Sequence, residues 1–131
     1  MDSCLVTSHN NTVKETDKTY ILGDFTMLIG GHIRGYANKL NGTKVLIRGN
    51  HDKGKLKDYV GYFKDVRAYH LLETGKDKGC THILLSHVPV HPNSIKPGWI
   101  NVHGHTHERG SPAGPYVSVC PEIVGYAPVS F

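Results

Sequence analysis

Two short apolar runs, Thr19 to Leu22 and Thr43 to Ile47, bracket a segment in which Ile29, Ile33, Tyr36, Ala37 and Leu40 recur at the helical period. Strand, helix, strand is a βαβ unit, whose parallel strands carry ligands beyond their carboxyl ends. Each run ends in a turn that bears polar side chains, Gly23-Asp24 after the first and Arg48-Gly49-Asn50-His51-Asp52 after the second. Asn41-Gly42 stops the helix with residues that tolerate a left-handed backbone. Upstream, Leu5, Val6, His9 and Val13 lie at helical spacing, so Asp2 to Lys14 reads as a short amphipathic helix. Downstream, Val66 to Leu72 and Cys80 to Ser86 read as strands, the second delivering His87 at its end. After a Pro-rich loop, Trp99 to Val102 leads into His103-Gly104-His105-Thr106-His107, and Tyr116 to Val119 and Ile123 to Val129 read as closing strands or edge segments. The expected fold class is α/β, going over to antiparallel strands at the C-terminus.

A chain of 131 residues is expected to form one domain, residues 1–131. Hydrophobic residues at 38% and charged residues at 20% exclude a disordered chain, and no apolar stretch approaches the roughly 20 residues that span a bilayer. The opening residues show no basic segment before an apolar run, so no secretory signal is expected. Cys4, Cys80 and Cys120 leave one thiol unpaired in any scheme and have no CxxC spacing. Free buried thiols and a cytoplasmic location are the expectation. The net charge of +4 mildly favours an anionic partner. Lys53, Lys55 and Lys57 read as a solvated loop, since no aromatic residues alternate with them to form a base-stacking platform.

The ten histidines say more. Six of them, His82, His87, His91, His103, His105 and His107, fall within 26 residues, and imidazole is the common nitrogen ligand of divalent metals. Asp24, Asn50, His87, His105 and His107 together offer carboxylate oxygen, amide oxygen and imidazole nitrogen at strand ends or in the loops after them. Mixed N/O ligation of this kind suits Mn, Fe, Zn or Ni. Taken singly, Asp24 could cap a turn, Asn50 could be a turn residue and His87 a satisfied core histidine. On an extended backbone His105 and His107 would share a face. Their joint occurrence at strand ends favours a metal site.

The blocks Gly23-Asp24, Gly49-Asn50-His51-Asp52, Ser86-His87 and Gly104-His105-Thr106-His107 resemble the second to fifth signature motifs of the calcineurin-like metallophosphoesterases, in order. Tyr20-Ile21-Leu22-Gly23-Asp24-Phe25 and Leu46-Ile47-Arg48-Gly49-Asn50-His51-Asp52 are most similar to the small bacterial and bacteriophage members. The resemblance implies two facing β-sheets flanked by helices in four layers, with a two-metal centre, manganese being the expected cofactor, at their edge. By similarity Asp24 bridges the metals, Asn50, His87 and His105 complete one shell, and His107 reaches the other metal. His51 would act on the leaving oxygen, with Asp52 orienting its imidazole. Arg48 reads equally as a substrate contact or a structural residue.

The family's first motif, an Asp-x-His on the opening strand, is absent, because no Asp and His before Gly23 have that spacing. The chain therefore reads as an N-terminally short member that lacks its first strand, with three alternatives: a homodimer that pairs the exposed strand edges, a rearranged N-terminus in which His9 or Asp2 approaches the first metal, or a truncated or late-start version of a longer reading frame. The function expected is metal-dependent hydrolysis of a phosphomonoester or phosphodiester, with nucleotides and nucleic acid among the candidate substrates and no membrane partner. The alternative is a catalytically impaired relative that binds a phosphorylated ligand, nucleic acid or protein. A metal-storing His-rich domain fits less well, because storage needs no fixed spacing.

Overall fold

The computed structural model describes residues 3–26 and 31–131. Within them the chain forms two β-sheets with helices against them. Helix α1 (Ser3–Thr12) leads to β1 (Lys18–Ile21), α2 (Gly31–Ala37) and β2 (Thr43–Ile47), the βαβ unit expected from the apolar pattern. Asp2 and Ile29, at or inside the predicted helices, lie outside the described residues. The first sheet is parallel throughout, in the order β1-β2-β3, with β3 spanning Asp65–Arg67. Val45, Leu46 and Ile47 are all buried, as a central parallel strand covered on both faces requires. Ile33 and Ala37 of α2 meet Leu46, Tyr59, Phe63 and Phe25 in one apolar cluster. Tyr59 comes from α3 (Lys57–Val60), a short helix inside what the sequence suggests is only a loop, and its full burial is what folds that loop inward. Lys53, Lys55 and Lys57 are exposed, as expected.

The predicted single strand Val66 to Leu72 is two strands in different sheets. After β3 the chain breaks at Ala68 and enters β4 (Tyr69–Glu73), the edge of the second sheet. That sheet runs β4-β5-β6-β7, with β5 at His82–Ser86, β6 at Trp99–His103 and β7 at Tyr116–Ser118. Only β4 and β5 are antiparallel; β5, β6 and β7 are parallel. The expectation of antiparallel strands toward the C-terminus is thus corrected. The connections 87–98 and 104–115 have crossover length rather than hairpin length, and crossovers return the chain in the same direction. Ile123 to Val129 is also corrected: Pro121–Val124 form helix α4, and no strand follows. Proline fits the first helical position and offers no ladder donor, while Gly125, at φ 73°, ends the helix in the left-handed region.

Strand β1 pairs only with β2, so its other edge is free within its sheet. A cavity of about 790 Å³ separates it from the second sheet, lined by Tyr20, Leu22, Leu85, Val102, Val117 and Phe131 among others. The Phe131 ring lies 6.4 Å from that of Tyr20, so the end of the chain borders this space. No described helix is long and apolar enough to cross a membrane. No disulfide joins the cysteines, and Cys4 is exposed, so the expectation of buried thiols holds only for Cys120 and in part for Cys80.

Candidate metal centre

Parallel pairing places the carboxyl ends of β1, β2, β5 and β6 so that their following loops meet. Gly23 and Asp24 both adopt positive φ, 86° and 51°, which turns the chain sharply after β1. A Cβ on Gly23 would collide with the His87 ring and the Gly49 backbone, and one on Gly49 would be driven into the Asp24 carboxylate and amide. Only glycine lets these two loops approach so closely. The Asp24 carboxylate is fixed by the His51 amide, which donates to Oδ1 at 2.9 Å.

Asp52 draws the same two loops together. Its Oδ1 accepts from the Phe25 amide at 2.9 Å and its Oδ2 from the Gly49 amide at 2.8 Å, with the residue 2% exposed. Both oxygens of Asp52 are thus engaged by backbone, which gives this residue a loop-holding role beside the one expected of it toward the His51 imidazole. Arg48 is structural as well. It donates to the carbonyl oxygens of Asp52 and Gly54 and lies over the Tyr59 ring.

His87 is buried at the centre of the group. Its Nδ1 lies 2.7 Å from the Leu22 carbonyl oxygen, an acceptor only, which assigns the proton to Nδ1. Nε2 of the neutral ring then presents a lone pair toward Asn50 Oδ1 at 2.8 Å, His105 Nδ1 at 3.1 Å and Asp24 Oδ2 at 3.4 Å. The ligand atoms of Asp24, His87 and His105 lie within 4.8 Å of one another. His105 can answer a lone pair with an N–H and Asn50 by turning its amide. The Asp24 carboxylate cannot, and lone pairs converging on one point repel unless a positive charge lies between them. The donor set of one carboxylate oxygen, one amide oxygen and two imidazole nitrogens therefore fits a borderline divalent cation. Partial burial, and next the His87 imidazole, hold the His105 pKa below its ordinary value, keeping the ring neutral and its lone pair available.

His107 is not brought into this cluster. Its Nδ1 meets Glu122 Oε1 at 2.9 Å. That hydrogen bond, reinforced by the carboxylate charge, raises the His107 pKa and lowers that of Glu122. The backbone between the two histidines is not extended: His105 and His107 have φ of 67° and 50°, with Thr106 in the right-handed region between them. They do not share a strand face, yet both line the cavity, as do Asp24, His87 and Glu122. The other three histidines of the dense stretch lie elsewhere. His103 is fully buried, its ring nitrogens against Gly104 O and Ser111 Oγ, His82 packs near Trp99, and His91 accepts from the Asn93 amide. His9 Nε2 lies 3.1 Å from the Asn41 carbonyl oxygen rather than in the cluster, and Asp2 is outside the described residues.

Sequence reasoning missed Glu122. The signal was there, a proline followed by an acidic residue, which favours a helix start. Reading Ile123 onward as strand hid it.

No family profile matches the chain. It is 30% identical to the uncharacterized protein MJ1445 of Methanocaldococcus jannaschii, in an alignment that covers 99% of this chain and 70% of that protein. Among solved structures it is similar to the protein of unknown function AQ665 from Aquifex aeolicus, with a TM-score of 0.72 and 25% identity over 96% of this chain and 78% of the other.

Proposed function

The chain belongs to the family of the archaeal protein MJ1445, and we propose that it is a metal-dependent phosphoesterase of calcineurin-like type, acting on a phosphomonoester or phosphodiester. The observation that carries this reading is the convergence of Asp24, Asn50 and His105 on His87 Nε2, from loops that follow two pairs of parallel strands. In this reading the two sheets and their helices are the four-layer arrangement of that fold.

A divalent cation held by these donors, with manganese preferred and Fe, Ni or Zn as alternatives, would supply the charge that lowers the pKa of an attacking water and neutralises phosphoryl oxygens. The residues of the chain do the rest. Asp24 is held ready by the His51 amide, and His87 is held in one tautomer by Leu22, so both donors are oriented before any ligand arrives. His51, on the loop that also carries Asn50, is the group that gives a proton to the leaving oxygen. Asp52 acts earlier in the chain of causes, by holding the Asp24 and Asn50 loops at their working separation.

One observation favours a second reading, a protein that binds one cation and a phosphorylated ligand without turnover. Among the described residues only one three-ligand group is found, and His107 is paired with Glu122 outside it. The experiment that decides is metal content together with hydrolysis of an aryl phosphodiester in the presence of Mn²⁺. Under the enzyme reading Asp24→Ala loses both metal and turnover, whereas His51→Ala retains metal and lowers kcat by on the order of 10²–10⁴. Parent protein that binds Mn²⁺ but turns over no aryl phosphate ester leaves the binding reading in its place.

A further inference from the structure

We infer that Asn101 is a positioning residue, one that holds the turn carrying His87 from both sides. The inference rests on the proposed metal-dependent function and adds to it a residue outside the recognised motifs.

Placement is the first support. Asn101 is the middle residue of β6 and is 0% exposed. Side chains alternate along a strand. Leu85, Val102 and Val117 line the cavity, so Asn101 belongs to the opposite face of the sheet, with its cross-strand neighbours Leu84 and Tyr116. Both of these are buried there too. An apolar side chain would fill such a site without needing a partner, and asparagine is disfavoured in strands. A buried amide is tolerated only when its hydrogen bonds are made.

Where those bonds go is the second. Asn101 Nδ2 donates to the Leu84 carbonyl oxygen at 2.9 Å and to Ser86 Oγ at 2.8 Å, and Oδ1 accepts from the Val90 amide at 2.9 Å. A carbonyl at one end and a backbone amide at the other leave the side-chain amide a single orientation. Ser86 Oγ donates onward to the Val88 carbonyl oxygen at 2.7 Å. Tyr116 adds a clamp from β7, its hydroxyl donating to the Val90 carbonyl oxygen at 2.8 Å. Residues on both sides of His87 are thus fixed through one buried amide and its neighbours. The His87 carbonyl oxygen accepts from the Gly104 amide at 3.0 Å, which ties this turn to the one that bears His105. A ring held at Nδ1 by Leu22 keeps its place only if its own backbone does. The network supplies that hold from the face of the sheet turned away from the cavity.

The test uses the whole chain, with Zn²⁺ titrated by calorimetry at pH 8 and the His87 tautomer read from long-range ¹H–¹⁵N spectra of the metal-free protein carrying ¹⁵N-histidine. The signal lost in His87→Gln assigns that ring. Asn101→Leu keeps the volume and removes the bonds. It should bind Zn²⁺ about tenfold more weakly than the parent, as loss of support behind a metal ligand does, and its His87 should pass from Nδ1–H to a mixture of both tautomers. Ser86→Ala removes one link and should fall between. The double variant should be no weaker than Asn101→Leu, because the two side chains act as one unit. Leu40→Ala, in the apolar cluster of the first sheet, is the control for lost stability. It should lower the urea midpoint yet keep parental affinity and tautomer. Parental affinity and tautomer in Asn101→Leu overturn the inference, as does an equal loss in Leu40→Ala. If Asn101→Leu does not fold, Ser86→Ala decides by the same two readouts. A parent that binds no Zn²⁺ sinks the metal-dependent function, and the His87 tautomer alone then upholds or overturns the hold of Asn101 on that ring.

Discussion

The Asp24–His87–His105 group and the His107–Glu122 pair border the same cavity but are held by opposite means. In the first, two of the donors are fixed from behind, Asp24 by the His51 amide and His87 by Leu22, and their loops by Asp52 and by the absence of a side chain at Gly23 and Gly49. In the second, one hydrogen bond between exposed side chains sets the geometry. Rigidity in the first group comes from burial and loop contact, so it should fail with the fold. The second depends on a charge and a proton, so it should fail with pH while the fold stays intact.

The sharpest way to break that contrast is Gly49→Ala. The added methyl meets the Asp24 carboxylate and backbone and the His87 ring, all of them fixed atoms with nowhere to retreat. We expect a loss of about 3 kcal/mol in unfolding free energy, typical of overpacking a closed site, and no measurable binding at the Asp24 group. Urea denaturation and metal titration check both. Near-parental metal affinity in Gly49→Ala would show that the loops are looser than their contacts indicate.

Asp52→Ala comes next. It leaves the Phe25 and Gly49 amides without acceptors, and an unsatisfied buried donor costs about 1–3 kcal/mol, so roughly 2–6 kcal/mol is expected for the two together. Because the two loops part, Zn²⁺ affinity at the Asp24 group should fall with stability, while the His107 tautomer should not move. A variant that lost stability without losing affinity would separate Asp52 from the centre altogether.

The elements that sequence reading located well are those with a local cause. Thr43–Ile47 is a strand in which four of five residues are apolar or β-favouring, between the Asn41-Gly42 turn and the Arg48-Gly49 loop, and its bounds are as expected. Asp24, Asn50, His87 and His105 were legible because they follow such strands, and parallel pairing carries strand ends to a common edge. What escaped is set at long range. Asp52 reaches the Phe25 amide, a contact between residues 27 positions apart that spacing does not reveal. Direction of pairing in the second sheet depends on how the crossovers return, and Val66 to Leu72 carries no mark of the break at Ala68 where the chain changes sheets. At the C-terminus the β-favouring Ile123 and Val124 were outweighed by Pro121 and Gly125, and Glu122 was lost to view with that helix.

The smallest effect, and the one that reaches only the second pair, is that of pH. Glu122 holds the His107 pKa above the ordinary 6.5, first by its hydrogen bond and then by its charge, whereas burial and His87 hold that of His105 below it. A protonated imidazole has no lone pair to offer, so metal binding competes with protons. On acidification His107 should charge first, above pH 6.5, while the Asp24 group still binds. His105 follows only below pH 6.5. The same pair acts on folding with the opposite sign. A raised histidine pKa contributes stability that is complete below the unfolded value and disappears as pH rises through the folded one. With both side chains open to solvent that contribution is minor, so the urea midpoint should stay nearly flat across the range in which His107 charges. Glu122→Ala removes the cause of the shift, so its His107 should charge at a lower pH than in the parent. Histidine ¹H–¹⁵N spectra at stepped pH read this directly, and a His107 that titrates alike in the parent and in Glu122→Ala would mean that Glu122 does not hold it.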